Sequence, residues 1–476
     1  MFRRAAARAV RRWLLAAARR SSPQRATERS LERAIDVARE AATASVAYRR
    51  LLQEHGIGAA ELAGKLRLAD LPVLTKANTF GRFSLDELAR PIATELLADV
   101  LTSSGRSGSH FGYRLTARKE YEAASFGIDL GLQDAFDVDQ LPTLLVNCLP
   151  MGVVFCSRAV TVANVSVRED MACAILRDVG PRFKQTLLCT DPLFVRRLID
   201  QGRSAGVDWP ALNTSVIVGE EMLVEAQRDY IAARLGIDLD GGGHRTVASS
   251  FGVGELGLNL LFESRDTIRI KRAARRVPEI AAILRGDDAG TLPSVFCFAP
   301  QRLCLEVLAP DAAGWGQLCI TVLGKGSVIP LPRFATGDVA RLLDSAELAQ
   351  ACQLSGTAAP WLPVVLVRGR AADHTASSVS VEAVKELLYA DHALADLLTG
   401  AFYLHQPPGA DAVVLVQAKF AALADQGVLQ SGLTRLAAAL SPAPVIKVLA
   451  PEDFPHRPVI DFERKFAYLA SDPGPT

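Results

Sequence analysis

A run of eight residues, Thr102–Ser109 with the sequence TSSGRSGS, is the first stretch of this chain that could bind a ligand. Its two glycines allow the backbone to turn so tightly that successive N–H groups point into one concavity. Serine and threonine hydroxyls add further donors, so the composition suits a polyphosphate. A solvated hairpin loop has the same composition and is the structural alternative.

The residues around this run predict a strand on each side. The short apolar run at 98–101 ends one strand, and Phe111, Tyr113 and Leu115 alternate with other residues as in a half-buried strand. The two common phosphate loops lead directly into a helix, and the Walker type also needs a Gly-Lys-Ser/Thr ending. The predicted strand–loop–strand arrangement therefore argues against both.

Two further candidate sites follow predicted strands. Gly219 and Glu220 end the strand at 215–218, and ligands commonly bind at the carboxyl ends of parallel strands. In the segment Ser249–Gly257, SSFGVGELG, Phe251 could stack on a base and Glu255 could hold Mg²⁺. The structural alternative for acids that begin a helix is an ordinary helix cap.

The same segment formally satisfies GxGxxG through Gly252, Gly254 and Gly257. A nicotinamide nucleotide site would also need a following helix, a second strand and an acidic residue for the ribose. The sequence offers little room for those elements and places basic residues at 271–276 instead. We therefore do not expect this segment to bind a nicotinamide nucleotide.

The last two candidate sites lie before a change of pattern near residue 370. In RFATGD, Asp338 follows a turn glycine, and its carboxylate could accept hydrogen bonds from the two ribose hydroxyls. An ordinary turn is the structural alternative. Arg370 ends the segment VRGR.

The elements that must position these residues alternate along the chain. Apolar runs predict strands at 143–148, 186–189, 215–218 and 246–249, with helical patterns between them. This alternation favours parallel strands with helical crossovers. Near Val295 to Leu323 the pattern changes to short strands with turns, which predicts a β-rich subdomain that ends in LPRFATGD. Beyond residue 370 the pattern becomes α+β, with helices at 381–389 and 419–439 and strands at 402–404, 413–416 and 445–449.

The sequence thus predicts an α/β fold in two parts. Residues 1–368 form a large domain that binds the ligands, with a helical region at 1–70, parallel-rich sheets, helical crossovers and a β-rich subdomain. Residues 369–476 form a small, mobile α+β domain that acts as a lid.

Composition narrows the class of protein. The 476 residues are 49% hydrophobic and 22% charged with a net charge of +1, which gives no general attraction to nucleic acid. The eight cysteines form no CxxC pair, which favours a reducing, cytoplasmic location over a disulfide or zinc framework. The first twenty residues carry seven arginines and no acid, with Val10, Trp13, Leu14 and Ala17 on one helical face. Such a helix either contacts an acidic membrane surface or packs on the protein with a solvated basic face.

Taken in order, six segments resemble the adenylate-forming superfamily of acyl-CoA synthetases, peptide-synthetase adenylation domains and luciferases. The closest resemblance is to its phenylacetate–CoA ligase-like branch. The segments are DLPVLTKANTF at 70–80, TSSGRSGS, VGEEM, SSFGVGELG, PLPRFATGD and VRGR. Thr75, which lies in the first of these segments, is expected to cap a helix.

The resemblance implies an enzyme that uses ATP and Mg²⁺ to activate a carboxylic acid. The carboxylate attacks the α-phosphorus, which gives an acyl-adenylate and pyrophosphate, and a nucleophile then displaces AMP. That nucleophile could be a phosphopantetheinyl thiol of a carrier protein, an amine or CoA. The alternatives are an ordinary aryl- or acyl-CoA ligase and a catalytically silent scaffold that binds nucleotide.

The resemblance also implies roles for individual residues. Glu255 would bind Mg²⁺, Asp338 the ribose, and Arg370 would lie at the domain hinge. A C-terminal lysine completes such sites, and Lys465 in HRPVIDFERKFAYL is the candidate, with Arg464 as the neighbouring alternative. The residues implied in the phosphate loop and beside adenine are Ser103, Ser104, Gly105, Ser107, Gly108, Gly219, Glu220 and Phe251. The candidate walls of the acid pocket are Met151, Gly152, Phe155, Ser249 and Ser250, which favour an uncharged or aromatic acid.

Two departures from the family pattern concern the second step of the reaction, in which the nucleophile displaces AMP from the acyl-adenylate. Ala372 stands where many relatives carry a hinge aspartate, and no glycine occurs between Arg370 and Glu382. In relatives a glycine loop at this point helps to admit the CoA arm, and a rotation of the small domain replaces the lysine with the thiol tunnel. The sequence therefore predicts that free CoA is a poor acceptor.

Overall fold

The structure is a computed structural model that describes residues 2–103, 110–150, 152–241, 243–286, 290–370, 379–406, 409–420, 426–455 and 460–469. Several residues singled out in the sequence lie outside the described residues, namely Ser104, Gly105, Ser107, Gly108, Met151 and Ala372.

The helices are α1 (Phe2–Arg19), α2 (Pro23–Ala44), α3 (Val46–Glu54), α4 (Ala59–Ala63), α5 (Leu85–Leu88), α6 (Arg118–Phe136), α7 (Glu169–Asp178), α8 (Pro192–Ser204), α9 (Glu225–Leu235), α10 (Arg265–Ala274), α11 (Pro278–Arg285), α12 (Ser345–Ser355), α13 (Val381–Ala390), α14 (His392–Leu397) and α15 (Gln426–Ala439). The strands are β1 (Leu97–Thr102), β2 (Tyr113–Ala117), β3 (Thr143–Asn147), β4 (Thr161–Asn164), β5 (Gln185–Thr190), β6 (Thr214–Val218), β7 (Val247–Val253), β8 (Gly257–Phe262), β9 (Ser294–Phe298), β10 (Leu303–Leu308), β11 (Gly316–Val322), β12 (Phe334–Leu342), β13 (Val364–Arg370), β14 (Leu398–His405), β15 (Val413–Ala418) and β16 (Val445–Leu449).

A sheet of eleven strands in the order β10-β11-β12-β13-β9-β8-β7-β6-β5-β3-β4 forms the centre of the large part of the chain. Along this sheet, the neighbours in the run β4-β3-β5-β6-β7 pair in parallel. The neighbours in the run β7-β8-β9-β13-β12-β11-β10 pair antiparallel. Every residue of β3 and β5 is buried, as expected for parallel strands covered on both faces. The predicted α/β fold with helical crossovers is therefore confirmed, and the change to antiparallel pairing begins at β8.

The smaller C-terminal part has a three-stranded sheet, β14-β15-β16, with α13–α15. Its core is continuous with that of the large part, because one cluster of buried apolar residues runs from α8 and α9 into α13 and β14. Phe194 of α8 packs edge-on against Phe462, with ring centroids 5.2 Å apart. The guanidinium of Arg196 lies over the rings of Tyr230 and Tyr389, one from each part. The two parts therefore share a buried interface.

Helix α1 packs on α6, but not through the face that the sequence suggests. Val10 and Trp13 of the expected apolar face are exposed, Trp13 by 67%. Arg11 is buried instead, where Nε donates to Asp139 Oδ2 at 3.1 Å and Nη1 lies 3.9 Å from Asp129 Oδ2. These two carboxylates make burial of the arginine favourable, so the packed face is polar as well as apolar. No helix within the described residues is both long and apolar enough to cross a membrane.

Candidate functional site

A cavity of about 1090 Å³ lies where the strand ends of the large sheet meet the C-terminal part. The structure brings most of the candidate residues to its walls: Ser103, Phe155, Gly219, Glu220, Ser249, Ser250, Phe251, Glu255, Asp338, Arg370 and Lys465. Gly152 does not line it, because this residue lies in an exposed turn with φ +68°. Its neighbours Val153 and Val154 form that part of the wall instead.

Strand ends explain how distant segments meet here. Gly219 and Glu220 follow the carboxyl end of β6, and Ser249–Phe251 lie in the adjacent strand β7. Asp338 on β12 and Arg370 on β13 are directly opposite each other in the antiparallel ladder. The carboxyl ends of parallel strands meet at one edge of a sheet, which is where ligands bind in open α/β folds.

The segment with the GxGxxG pattern forms the hairpin of β7 and β8. A dinucleotide fingerprint leads into a helix, whereas this segment leads into β8.

Lys76 is a central residue of the site that sequence reasoning missed. Its Nζ donates to Ser103 Oγ at 2.7 Å and lies 2.9 Å from Glu255 Oε1. The lysine is held in place because Leu74 pairs with β12 through hydrogen bonds to Arg333 and Ala335. Thr75 opens a turn here instead of the expected helix. The available signal was the lysine within DLPVLTKANTF, but its partners are distant in the sequence.

Two glycines allow Glu255 to lie against the β1–β2 hairpin. A Cβ atom on Gly112 would come within 2.2 Å of Glu255 Oε1, and one on Gly254 would come within 3.0 Å of Ser103 Cα. Ser103 and Gly112 close the described ends of the hairpin loop with two 3.0 Å hydrogen bonds. The absence of a Cβ atom at Gly254 therefore allows this close packing against Ser103.

The donor set at this point fits a Mg²⁺ ion that is also bound by phosphates. Glu255 is 5% exposed, and its Oε1 accepts no hydrogen bond within the described residues despite the nearby Lys76 ammonium. The described residues contain no cluster of three or more His, Cys, Asp or Glu side chains that could hold a metal alone. Magnesium in nucleotide sites needs only one or two carboxylates because phosphates and water supply the other ligands.

A buried charge network supports the β7 wall of the cavity from behind. Glu263 Oε2 accepts from the Ser249 N–H at 2.7 Å, and its Oε1 accepts from Arg228 at 2.7 Å. Arg228 is fully buried and also pairs with Glu225 at 2.9 Å. A buried carboxylate with partners on both oxygens fixes the backbone that it contacts, so Ser249 has little freedom to move.

The C-terminal part contributes Lys465 to the cavity. Its Nζ lies 2.8 Å from Glu220 Oε2, and its side chain is 20% exposed. The Arg464 side chain is 76% exposed and lies 3.6 Å from Asp461. Of the two candidate cations, only Lys465 lines the cavity.

Glu221, which follows Glu220 in the turn after β6, also binds residues of the C-terminal part. Glu221 Oε2 accepts from Lys385 Nζ at 2.8 Å and from the Tyr468 hydroxyl at 3.0 Å. Burial, followed by the repulsion of Glu221, raises the pKa of the Tyr468 hydroxyl. The turn after β6 therefore carries two acids that each bind a lysine from the C-terminal part.

Asp191 lies beneath this turn, and its carboxyl gives a prediction about stability. Its Oδ1 caps α8 by accepting from the N–H groups of Leu193 and Phe194 at 2.9 and 3.0 Å. Burial, followed by the repulsion of Glu221, raises the pKa of Asp191 from 3.8 to about 7. The folded state therefore binds a proton that the unfolded state has released, so this group lowers stability progressively as the pH rises from about 4 to about 7.

We expect Asp191→Asn to remove this pH dependence because asparagine keeps the capping oxygen without a charge. Relative to wild type, the free energy of unfolding of Asp191→Asn should increase by up to about 1 kcal/mol for each pH unit between about pH 5 and pH 7. Urea denaturation across this range measures it. Asp208→Asn, at an exposed turn carboxylate, is the matched control. Parallel pH profiles for wild type and Asp191→Asn would contradict the assignment.

No protein-family model matches the sequence, and no curated protein matches it. Solved structures do. 2-Hydroxyisobutyryl-CoA ligase in the postadenylation state with 2-HIB-AMP has a TM-score of 0.69 at 12% identity, over 95% of this chain and 90% of that chain. The same ligase in that state with R3-HIB-AMP has a TM-score of 0.68, at the same identity and coverage. In the thioesterification state, with 2-HIB-AMP and CoA, its TM-score is 0.53 at 13% identity, over 95% of this chain and 90% of that chain. The chain therefore has the fold of this CoA ligase over nearly its whole length.

Proposed function

We propose that this protein is an adenylate-forming ligase, which activates a carboxylic acid with ATP to an acyl-adenylate and releases pyrophosphate. The observation that carries the proposal is the cavity where Lys465 from the C-terminal part faces Glu220, with Glu255 and Asp338 on the other walls. The shared fold with a CoA ligase supports it. The segment DLPVLTKANTF, which resembles the N-terminal stretch of the phenylacetate–CoA ligase-like branch, supports a closer relation to that branch.

Most of this reaction depends on position and charge. Attack of a carboxylate on the α-phosphorus brings two anions together, so the site must neutralise charge and align the reactants. In our proposal Asp338 accepts hydrogen bonds from the ribose, Gly219 and Phe251 hold adenine, and Lys465 exchanges Glu220 for the reacting carboxylate. Mg²⁺ bound by Glu255 would neutralise the phosphates.

Lys76 would act on the phosphates in the same proposal. Its Nζ contacts both Ser103, at the start of the glycine–serine loop, and Glu255. An ammonium at this point can move from the carboxylate to a phosphate oxygen without leaving the site, because both lie within the reach of a flexible side chain.

The acceptor in the second step is a nucleophile, and we propose that free CoA is a poor one. A carrier-protein thiol or an amine then remains as the acceptor. A rotation of the C-terminal part would have to separate the buried interface around Arg196 and both lysine–glutamate pairs.

The test is ATP–pyrophosphate exchange with a panel of carboxylic acids, followed by product analysis with and without CoA. We expect acid-dependent exchange and acyl-AMP formation that is faster than any acyl-CoA formation. A scaffold that only binds nucleotide would support exchange with none of the acids. Acyl-CoA formed as fast as acyl-AMP would show an ordinary acyl-CoA ligase and contradict the proposal about the acceptor.

A further inference from the structure

Arg302 stands at the wall of the cavity, and within the part of the chain that the structure describes it has no counter-charge. It belongs to the turn between β9 and β10, where its N–H donates to the Ala299 carbonyl at 2.9 Å. Its side chain lines the cavity and remains accessible to solvent. Within the described residues its guanidinium forms no ion pair and no hydrogen bond, although an arginine carries five N–H donors.

The surroundings of Arg302 do not offset its charge. Desolvation by the surrounding protein, followed by repulsion from Arg114, lowers the pKa of Arg302. Arg114 forms an ion pair with Glu120, because its Nη2 lies 2.6 Å from Glu120 Oε1. Another acid of the cavity wall, Asp134, is paired with Arg19 at 2.6 Å. A guanidinium that lines a cavity and has no ion pair within the described residues can offer its N–H donors to an anion.

The neighbouring wall leaves space for that anion. A Cβ atom on Gly127 of α6 would lie 3.7 Å from Arg302 Nη1, so the guanidinium faces the bare backbone of this helix. Gly131, about one turn further along α6, also lines the cavity, and a Cβ atom there would have no neighbour within 4 Å. Glycine destabilises a helix interior by about 0.5–1 kcal/mol relative to alanine, so the two glycines provide room at a cost.

We propose that Arg302 selects a carboxylic acid that carries a second anionic group, with a dicarboxylic acid as the simplest case. One carboxylate is activated at the nucleotide end of the cavity, and the other binds the guanidinium of Arg302. This inference rests on the proposed adenylation activity, and it replaces the uncharged or aromatic acid that the apolar residues near Phe155 favour.

The experiment compares monocarboxylic and dicarboxylic acids of equal chain length in ATP–pyrophosphate exchange. We expect wild type to have a higher kcat/KM for the dicarboxylic member of the best pair. Arg302→Gln should lower that value by about tenfold to a hundredfold, because a charge-assisted hydrogen bond is lost, and leave the monocarboxylic value nearly unchanged. Arg302→Lys should retain part of the preference.

Arg33→Gln is the matched control. Arg33 binds the outside of the same turn through the Gln301 carbonyl at 2.8 Å and does not line the cavity. This control should keep the preference for the dicarboxylic acid. A wild-type preference for monocarboxylic acids, or an equal effect of Arg302→Gln on both series, would overturn the proposal.

Binding separates a failure of this inference from a failure of the proposed activity. If no acid supports exchange, the adenylation activity is wrong, and calorimetric titration of the same dicarboxylic acids then decides about Arg302. Binding to wild type that is lost in Arg302→Gln supports the site. An absence of binding to wild type, or equal binding to both proteins, overturns it. Thermal unfolding of each variant shows that the fold is retained.

Discussion

Lys465→Ala is expected to lower the rate of acyl-AMP formation by about 100- to 1000-fold, the effect of removing one group that stabilises charge in a transition state. The ammonium of Lys465 lies in the cavity, 2.8 Å from Glu220. A cation there can neutralise the charge that develops between the carboxylate and the α-phosphate. In the proposed reaction this interaction is needed for adenylation alone, so consumption of a supplied acyl-adenylate should continue at nearly the wild-type rate. Single-turnover assays of the two half-reactions measure both rates.

The neighbouring residue provides the control for this prediction. Arg464→Ala removes a side chain that is also cationic but mostly exposed, so both half-reactions should proceed almost normally. Loss of adenylation in Arg464→Ala but not in Lys465→Ala would show that the other cation acts in the site.

The second large effect is expected from Glu255. We predict that Glu255→Gln retains the fold but lowers the maximal rate of pyrophosphate exchange by about 100-fold or more. Glutamine has nearly the same volume as glutamate and so still fits against Gly112, but it lacks the charge that pairs with Lys76 and that would bind Mg²⁺ in the proposed site. The variant should also need a higher Mg²⁺ concentration for half-maximal exchange.

A titration of exchange activity against Mg²⁺ measures this effect, and thermal unfolding checks the fold. Glu28→Gln, at an exposed position on α2, is the matched control and should behave as wild type. Near-normal exchange by Glu255→Gln at saturating Mg²⁺ would exclude the carboxylate from the metal site.

Much of the fold could be predicted because its strands have distinct sequences. Strands β3, β5 and β6 are covered on both faces and appear in the sequence as short apolar runs, separated by amphipathic helices. The candidate residues at the ends of these strands could be predicted for the same reason. The C-terminal strands at 402–404, 413–416 and 445–449 lie within β14, β15 and β16.

The features that could not be predicted depend on contacts between distant segments. Lys76 meets Glu255 only because residue 74 pairs with β12, and no local pattern encodes that pairing. Arg302 lies in a turn with no recognisable motif, and its significance comes from its lack of an ion pair within the described residues. Arg11 was expected in a solvated basic face, whereas Asp129 and Asp139 bury it.

The continuous core between the two parts of the chain also bears on how the protein folds. Val384, Leu388 and Leu394 belong to the C-terminal part, yet they pack in the same buried cluster as Tyr230 and the other residues of α8 and α9. A fragment that starts after residue 378 would expose these apolar side chains to water and lose a large share of its stabilising burial. We therefore expect the C-terminal part to depend on the large part for its stability.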